Sequence, residues 1–312
     1  FFLKDVTGFS GGLGTSFGSV LFNSLIIPSV AVLGVLSKSK KNTVVVSRKI
    51  IVRDGLWLLL VEFVLIYFIQ QGVISWVESL VLIVLYGLYV LYLFKTMKGG
   101  HDINYEEPFT DKDRVSFLSA FMILDLKRMI IGNQKLNTKT AWLVFVISSL
   151  IIGFVCYFLV LACEWLGSET YTVYGFGELQ GLGIPLLFVA IVFAAIGSSF
   201  PDTIISYKDA QKGNYDDAIS NAYGSNIFNL CVALGVPLFF FTFLYGPIEL
   251  TQEIVSLITG LSLWFFGLTA FSIFLYTRLG GVTRSQALIL IASYVTFILF
   301  IFWKAYNVGG GF

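Results

Sequence analysis

Gly14-Thr15-Ser16-Phe17-Gly18-Ser19-Val20-Leu21-Phe22-Asn23 is answered 206 positions later by Ser220-Asn221-Ala222-Tyr223-Gly224-Ser225-Asn226-Ile227-Phe228-Asn229. Four positions agree in one register: Gly18 with Gly224, Ser19 with Ser225, Phe22 with Phe228 and Asn23 with Asn229. Close packing of small residues between apolar helices would account for the glycines and serines. It does not account for two asparagines at the same station of two apolar segments. An internal repeat does, and inverted repeats in membrane proteins place a shared site near the bilayer midplane.

The surroundings of both runs are those of a membrane chain. Of 312 residues 57% are hydrophobic and 12% charged, and the mean hydropathy is +0.85. Eight apolar spans are predicted, at 12–36, 55–71, 75–95, 141–163, 183–207, 217–243, 252–276 and 284–306. Each is long enough, at about 1.5 Å per residue, to cross much of a hydrocarbon core about 30 Å thick. The fold class is therefore all-α integral membrane, the lipid bilayer being its first partner. If the spans alternate in direction, 18 of the 20 Lys and Arg fall on one side, leaving Lys4 and Lys304 opposite. The other side carries Glu164, Glu169, Glu178, Glu249 and Glu253. That segregation follows the positive-inside rule. It leaves open whether the basic side faces cytosol or a mitochondrial matrix, so plasma membrane, endomembrane and mitochondrial inner membrane are not distinguished. The net charge of +1 averages two unlike faces and implies no nucleic acid.

A polar stretch at 96–140 separates three spans (1–95) from five (141–312). It reads as a solvated loop, with an amphipathic surface helix predicted over Arg114 to Ile130. Its acids, among them Glu106, Glu107, Asp111 and Asp113, do not follow an EF-hand spacing. Cys156, Cys163 and Cys231 lack ligand spacing and read as packing residues. With a five-span repeat unit, the second half is complete and the first lacks its opening two spans; an odd number per unit inverts one half relative to the other.

The second chemical signal is Ala194-Ala195-Ile196-Gly197-Ser198-Ser199-Phe200-Pro201-Asp202, inside the span that begins near Gly183. A carboxylate at membrane depth costs at least a few kcal/mol (about 2.5 or more), so it is paired or bound to an ion. Pro201 removes a backbone donor, and a kink or break is expected there. Freed carbonyls, the Ser198 and Ser199 hydroxyls and the Asp202 carboxylate are hard oxygen ligands of the kind Ca²⁺ and Na⁺ take. Glu62 is the other acid deep in a span, and it reads as a bundle contact. No nucleophile–base pair, phosphate loop or metal cluster suggests an enzyme.

The segments GSSFPD and YGSNIFN, joined by DAQKGNYDDAISNA, resemble the second alpha-repeat of Na⁺/Ca²⁺ and K⁺-dependent Na⁺/Ca²⁺ exchangers of the cation/Ca²⁺ exchanger superfamily. GTSFGSVLFN is similar to the latter half of their first alpha-repeat, and Arg53-Asp54-Gly55 and Ile74 to Leu80 resemble connecting helices of the K⁺-dependent branch. The resemblance implies a ten-helix (5+5) inverted-repeat fold and a secondary-active antiporter exchanging Ca²⁺ for Na⁺ or H⁺ by alternating access. It assigns ion contacts to Asp202, Ser198, Ser199 and the Ala195 carbonyl, to Ser225 and Asn229, and to Ser19 and Asn23. No cofactor is implied; Ca²⁺ and Na⁺ are transported ligands. Asn229 stands where K⁺-dependent members carry Asp, which argues against K⁺ co-transport. The first acidic motif has no counterpart in Phe1 to Ser10, so the missing helices are expected upstream or on a separate polypeptide. The alternative reading is a degenerate exchanger-like structural subunit of a larger membrane complex.

Overall fold

A computed structural model describes residues 6–38, 42–96, 126–132, 137–278 and 281–309. In chain order the first elements are α1 (Val6–Leu21), a π-helical turn π1 (Phe22–Ile26), α2 (Ile27–Lys38), β1 (Thr43–Val44), α3 (Arg48–Gln70), β2 (Val73–Ile74) and α4 (Trp76–Thr96). Next come α5 (Leu126–Ile131), α6 (Thr138–Gly167), β3 (Thr170–Val173) and β4 (Gly177–Gln180). The last are α7 (Leu186–Val189), π2 (Ala190–Ala194), α8 (Ala195–Gln211), α9 (Tyr215–Phe228), π3 (Asn229–Ala233), α10 (Gly235–Tyr245), β5 (Ile248–Glu249), α11 (Gln252–Tyr276), β6 (Val282–Thr283) and α12 (Arg284–Gly309).

Residues 1–95 and 163–312 supply one compact unit and residues 96–162 a second. The second contains α5 and most of α6, a 30-residue helix that is apolar on all sides. Of the predicted surface helix at 114–130, only the segment from Leu126 onward lies within the described residues.

Among the described residues seven helical stretches are long and apolar enough to cross a membrane, so the chain is an integral, multi-pass membrane protein. The remaining predicted span, 55–71, falls almost wholly within α3. That helix has 23 residues, spanning about 35 Å, but Arg53, Asp54 and Glu62 within it take it out of the apolar set. The predicted span 183–207 shifts to Leu186–Gln211, because Gly183 has a positive φ (60°) and Pro185 precedes the first helical turn. The β3–β4 hairpin has no counterpart in the hydropathy pattern; Gly175 and Gly177, both at positive φ, turn it between exposed alternating residues.

The frame of the first unit joins the two halves of the chain. β1 pairs antiparallel with β6, and β2 with β5. Since β1 and β2 flank α3 while β5 and β6 flank α11, these two helices run antiparallel and are tied at both ends. Gly55 lets them approach, as a Cβ there would lie 2.7 Å from Ile273 Cδ1. Each strand pair joins connections expected on the same side of the membrane. A third basic-side connection comes in where the Ser47 N–H donates to Asp216 Oδ1 at 2.6 Å.

Local signals recur in both halves. β2 leads into Ser75, whose N–H and hydroxyl both donate to Glu78 Oε2. β6 leads into Thr283, whose N–H donates to Gln286 Oε1 at 2.8 Å while the Gln286 N–H returns to Thr283 Oγ1 at 3.2 Å. Both are capping boxes that start the helix at a fixed residue. The interior of the bundle is apolar and aromatic: Phe17 stacks on Phe265 at 4.6 Å, and Phe265 meets Phe297 edge-on at 5.3 Å.

Candidate functional site

The helix carrying Asp202 is not broken at Pro201. α8 runs without interruption from Ala195 to Gln211, and the irregular turn is π2, immediately before it. The irregular geometry of this stretch is an i→i+5 turn ahead of the proline-containing helix, and such turns often mark functional sites. π1 and π3 fall at the repeat asparagines, Asn23 lying within one and Asn229 opening the other.

Helical spacing sorts the candidate residues by face. Ala195, Ser198 and Asp202 share one face of α8 at i, i+3 and i+7; Ser225 and Asn229 share a face at i, i+4, as do Ser19 and Asn23. The structure brings these into two groups. In the first, Ser19 Oγ lies 3.0 Å from Ser198 Oγ and donates to the Ala195 carbonyl at 3.5 Å, while the Ser198 hydroxyl also donates to that carbonyl, at 3.1 Å. A residue of the first run thus meets the 194–202 segment of the other half of the chain at one oxygen cluster. In the second, Asp202, Ser225 and Asn229 line a single cavity of about 400 Å³ with Tyr86, Gly224 and Phe228.

Two predicted residues are not in either group. Ser199, one position round the helix from Ser198, is 1% exposed, and its hydroxyl has no hydrogen-bond partner. Asn23 is fully buried, with neither amide atom bonded. Among the described residues no three His, Cys, Asp or Glu side chains cluster as a metal site, and Asp202 is the one carboxylate among the candidate residues.

Sequence reasoning missed three contributors. Asn226 donates from Nδ2 to the Val20 carbonyl at 3.1 Å and to Ser24 Oγ at 2.9 Å, bridging the two runs between residues 206 apart, the repeat offset itself. The signal was an asparagine where the first run carries valine. Tyr86 enters the cavity from α4. Its neighbour Tyr89 belongs to a buried network: Asp54, fully buried, accepts from Arg53 Nε at 2.6 Å, from Ser220 Oγ at 2.8 Å and from Tyr89 OH at 3.2 Å. This network fixes α3 and α4 to the helix that carries Ser225. Glu62, read as a bundle contact, accepts from Thr269 Oγ1 at 2.8 Å across the α3–α11 interface, and its other oxygen is unbonded.

Comparison with known proteins gives the family context. A model described as sodium/calcium exchanger protein matches residues 5–95 and 140–303. A probable sodium/potassium/calcium exchanger of Drosophila melanogaster is 32% identical over 156 residues, which are 49% of this chain and 23% of that protein. Sodium/potassium/calcium exchanger 4 of Homo sapiens is 39% identical over 80 residues, 25% of this chain and 13% of that protein. The chain thus spans less than a quarter of the length of each of these relatives in the matched region. The crystal structure of an H⁺/Ca²⁺ exchanger, CAX, superposes with a TM-score of 0.54 at 16% identity over 96% of this chain and 72% of that one, a likeness of fold.

Proposed function

The chain belongs to the sodium/calcium exchanger protein family, and from that premise we propose that it takes part in Ca²⁺ antiport, exchanging Ca²⁺ for Na⁺ or H⁺ across its membrane by alternating access. The reading holds Asp202, Ser225 and Asn229 as contacts of the transported cation from the second repeat, Ser198 and the Ala195 carbonyl beside them, and Ser19 from the first. Ser199 and Asn23 are assigned to the same pathway on their unbonded buried polar atoms. The observation that carries the proposal is the opening of Asp202, Ser225 and Asn229 onto one cavity. All three offer hard oxygen, the donor set that suits Ca²⁺ and Na⁺.

One carboxylate cannot balance a dehydrated divalent cation, and incomplete compensation of a buried charge is costly. We therefore place a second anionic contribution outside the described residues, on further helices of this polypeptide or of a separate one. The division into an incomplete first repeat at 1–95, a connecting segment at 96–140 and a complete second repeat at 141–312 belongs to the same proposal. It is supported by the matched strand pairs, capping boxes and π-helical turns of the two halves.

Uptake of ⁴⁵Ca²⁺ into liposomes holding the purified chain, driven by an outward Na⁺ gradient, tests the proposal, with Asp202→Asn as the comparison. Uptake that disappears in the variant is expected. Uptake that the variant retains would remove Asp202 from the site, and no uptake by folded protein would favour a structural subunit within a larger membrane complex.

A further inference from the structure

α3 carries two fully buried acids in unlike company. Asp54 accepts from the Arg53 guanidinium, from Ser220 Oγ and from Tyr89 OH, so its charge is balanced and both its oxygens are bonded. Glu62, about two turns further on, accepts from Thr269 Oγ1 at 2.8 Å through Oε1 and accepts nothing at Oε2. Among the described residues no Lys, Arg or His lies within ion-pair distance of it. It stands roughly 21 Å along the helix from Arg48 and roughly 12 Å from Gln70.

The hydroxyls around Glu62 are already committed. Ser272 donates to the Thr269 carbonyl at 2.8 Å, so in the 3.0 Å contact between Tyr223 OH and Ser272 Oγ the tyrosine is the donor. Thr269 gives its one hydroxyl proton to Glu62 Oε1. Tyr223 on α9, Cys231 in π3 and Tyr276 on α11 are the titratable side chains buried with these groups, and none of the three can carry positive charge. On α3 itself the nearest are Asp54 and its partner Arg53.

A carboxylate enclosed with one neutral donor and no counter-charge is costly in an apolar interior, and at membrane depth such an acid marks a bound ion or proton. The frame keeps α3 from carrying the acid out to water. The β1–β6 and β2–β5 pairs pin the ends of α3 to those of α11, and Thr269 holds Glu62 to α11 between them. We infer that Glu62 seats a single positive charge, a proton or Na⁺, between α3, α9 and α11. Oε2 is the atom that receives it: a proton makes the side chain a neutral acid, and Na⁺ takes the same atom as a hard oxygen ligand. The site is separate from the Asp202 cavity and stands whether or not that cavity binds a transported cation.

Two titrations of thermal unfolding on the purified full chain in detergent test this, each comparing wild type with Glu62→Gln. The first raises pH from about 5 to about 9 with choline in place of Na⁺; the second raises Na⁺ against choline at constant ionic strength and alkaline pH. Groups elsewhere, Asp202 included, contribute alike to both proteins and cancel in the comparison. The stability that a seated proton supplies is present in full below the ordinary glutamate value of about 4.3 and is lost as pH rises, so wild type should lose up to about tenfold in folding equilibrium per pH unit relative to Glu62→Gln. A seated Na⁺ should instead give wild type up to about tenfold, relative to the variant, for each tenfold rise in free Na⁺. Either dependence supports the site, and the titration that shows it identifies the charge. Wild type and variant running parallel in both would overturn the inference. Should Glu62→Gln not fold, Glu62→Met, apolar and of similar length, is the reference; failure of both neutral replacements would show that the position requires a free carboxylate, and would equally overturn it.

Discussion

Replacing Gly18 by alanine should loosen the helix packing that brings Ser19 to Ser198. A Cβ on Gly18 would lie 2.6 Å from the Ala195 Cβ and 2.8 Å from the Ile191 carbonyl carbon, with the Ile191 oxygen closer still. Carbon atoms rest at about 3.5–4.0 Å, so α1 must withdraw from π2 and α8 by roughly 1 Å. The obstacles are backbone and a Cβ, which have no rotamer to yield. Overpacking of this kind costs about 1–3 kcal/mol, and alanine returns up to about 1 kcal/mol through its helix propensity. The net expectation is a loss of roughly 1–2 kcal/mol, together with a lengthened Ser19–Ser198 contact. Gly87, on α4, would have nothing within 4 Å of an added methyl group and supplies the control. Thermal unfolding of the detergent-purified proteins should rank Gly18→Ala below wild type and Gly87→Ala at or slightly above it. A Gly18→Ala protein that melts with or above wild type would refute the close approach on which the first oxygen cluster depends.

Asp54→Ala should be the most damaging of the remaining changes, because it strands the Arg53 guanidinium among buried neighbours; about 3–5 kcal/mol is expected, visible as a lower melting temperature and altered emission from Trp57, which packs on Tyr89 at 5.8 Å. Glu62→Gln keeps an acceptor for the Thr269 hydroxyl and should melt close to wild type, whereas Glu62→Ala leaves that hydroxyl unpaired and a void behind it, costing about 2–4 kcal/mol in the same measurement. Asn226→Leu frees the Val20 carbonyl and the Ser24 hydroxyl together, and a loss of about 1–3 kcal/mol is expected on denaturation in detergent. An Asn226→Leu protein as stable as wild type would show that the bridge between the two runs is not a structural tie.

The candidate residues are legible because their signature is chemical: polar residues at fixed spacing inside apolar spans have few explanations. Ser19 meets Ser198 and the Ala195 carbonyl, and Asp202, Ser225 and Asn229 open on one cavity. The break expected at Pro201 is absent, α8 running through it, and the π turn ahead of that helix leaves no mark in hydropathy or propensity. The strand pairs are hidden for a related reason. Two-residue strands such as Thr43–Val44 carry too short an alternation to register, and their partners are about 240 residues away in one case and about 175 in the other. Asn226 lies inside the repeat run, but its contact is invisible to a search for matched positions, because the two copies differ there.

Those differences bear on the site more than the matches do. Equivalent residues of the two runs sit in unlike surroundings: Gly18 is covered by Ile191 and Ala195, whereas Gly224 has only the Tyr89 hydroxyl near it, at 3.8 Å. Ser19 is buried against α8, and Ser225 faces the Asp202 cavity. The same contrast holds for the asparagines, Asn229 lining the cavity and Asn23 wholly enclosed with both amide atoms unbonded. An unsatisfied buried group costs about 1–3 kcal/mol, so packing alone would be better served at position 23 by leucine or methionine. Asn23 therefore argues for a polar contact on grounds separate from any resemblance. Under the proposed function it would offer the next oxygen donor along the chain from Ser19, one helical turn or about 5.4 Å away.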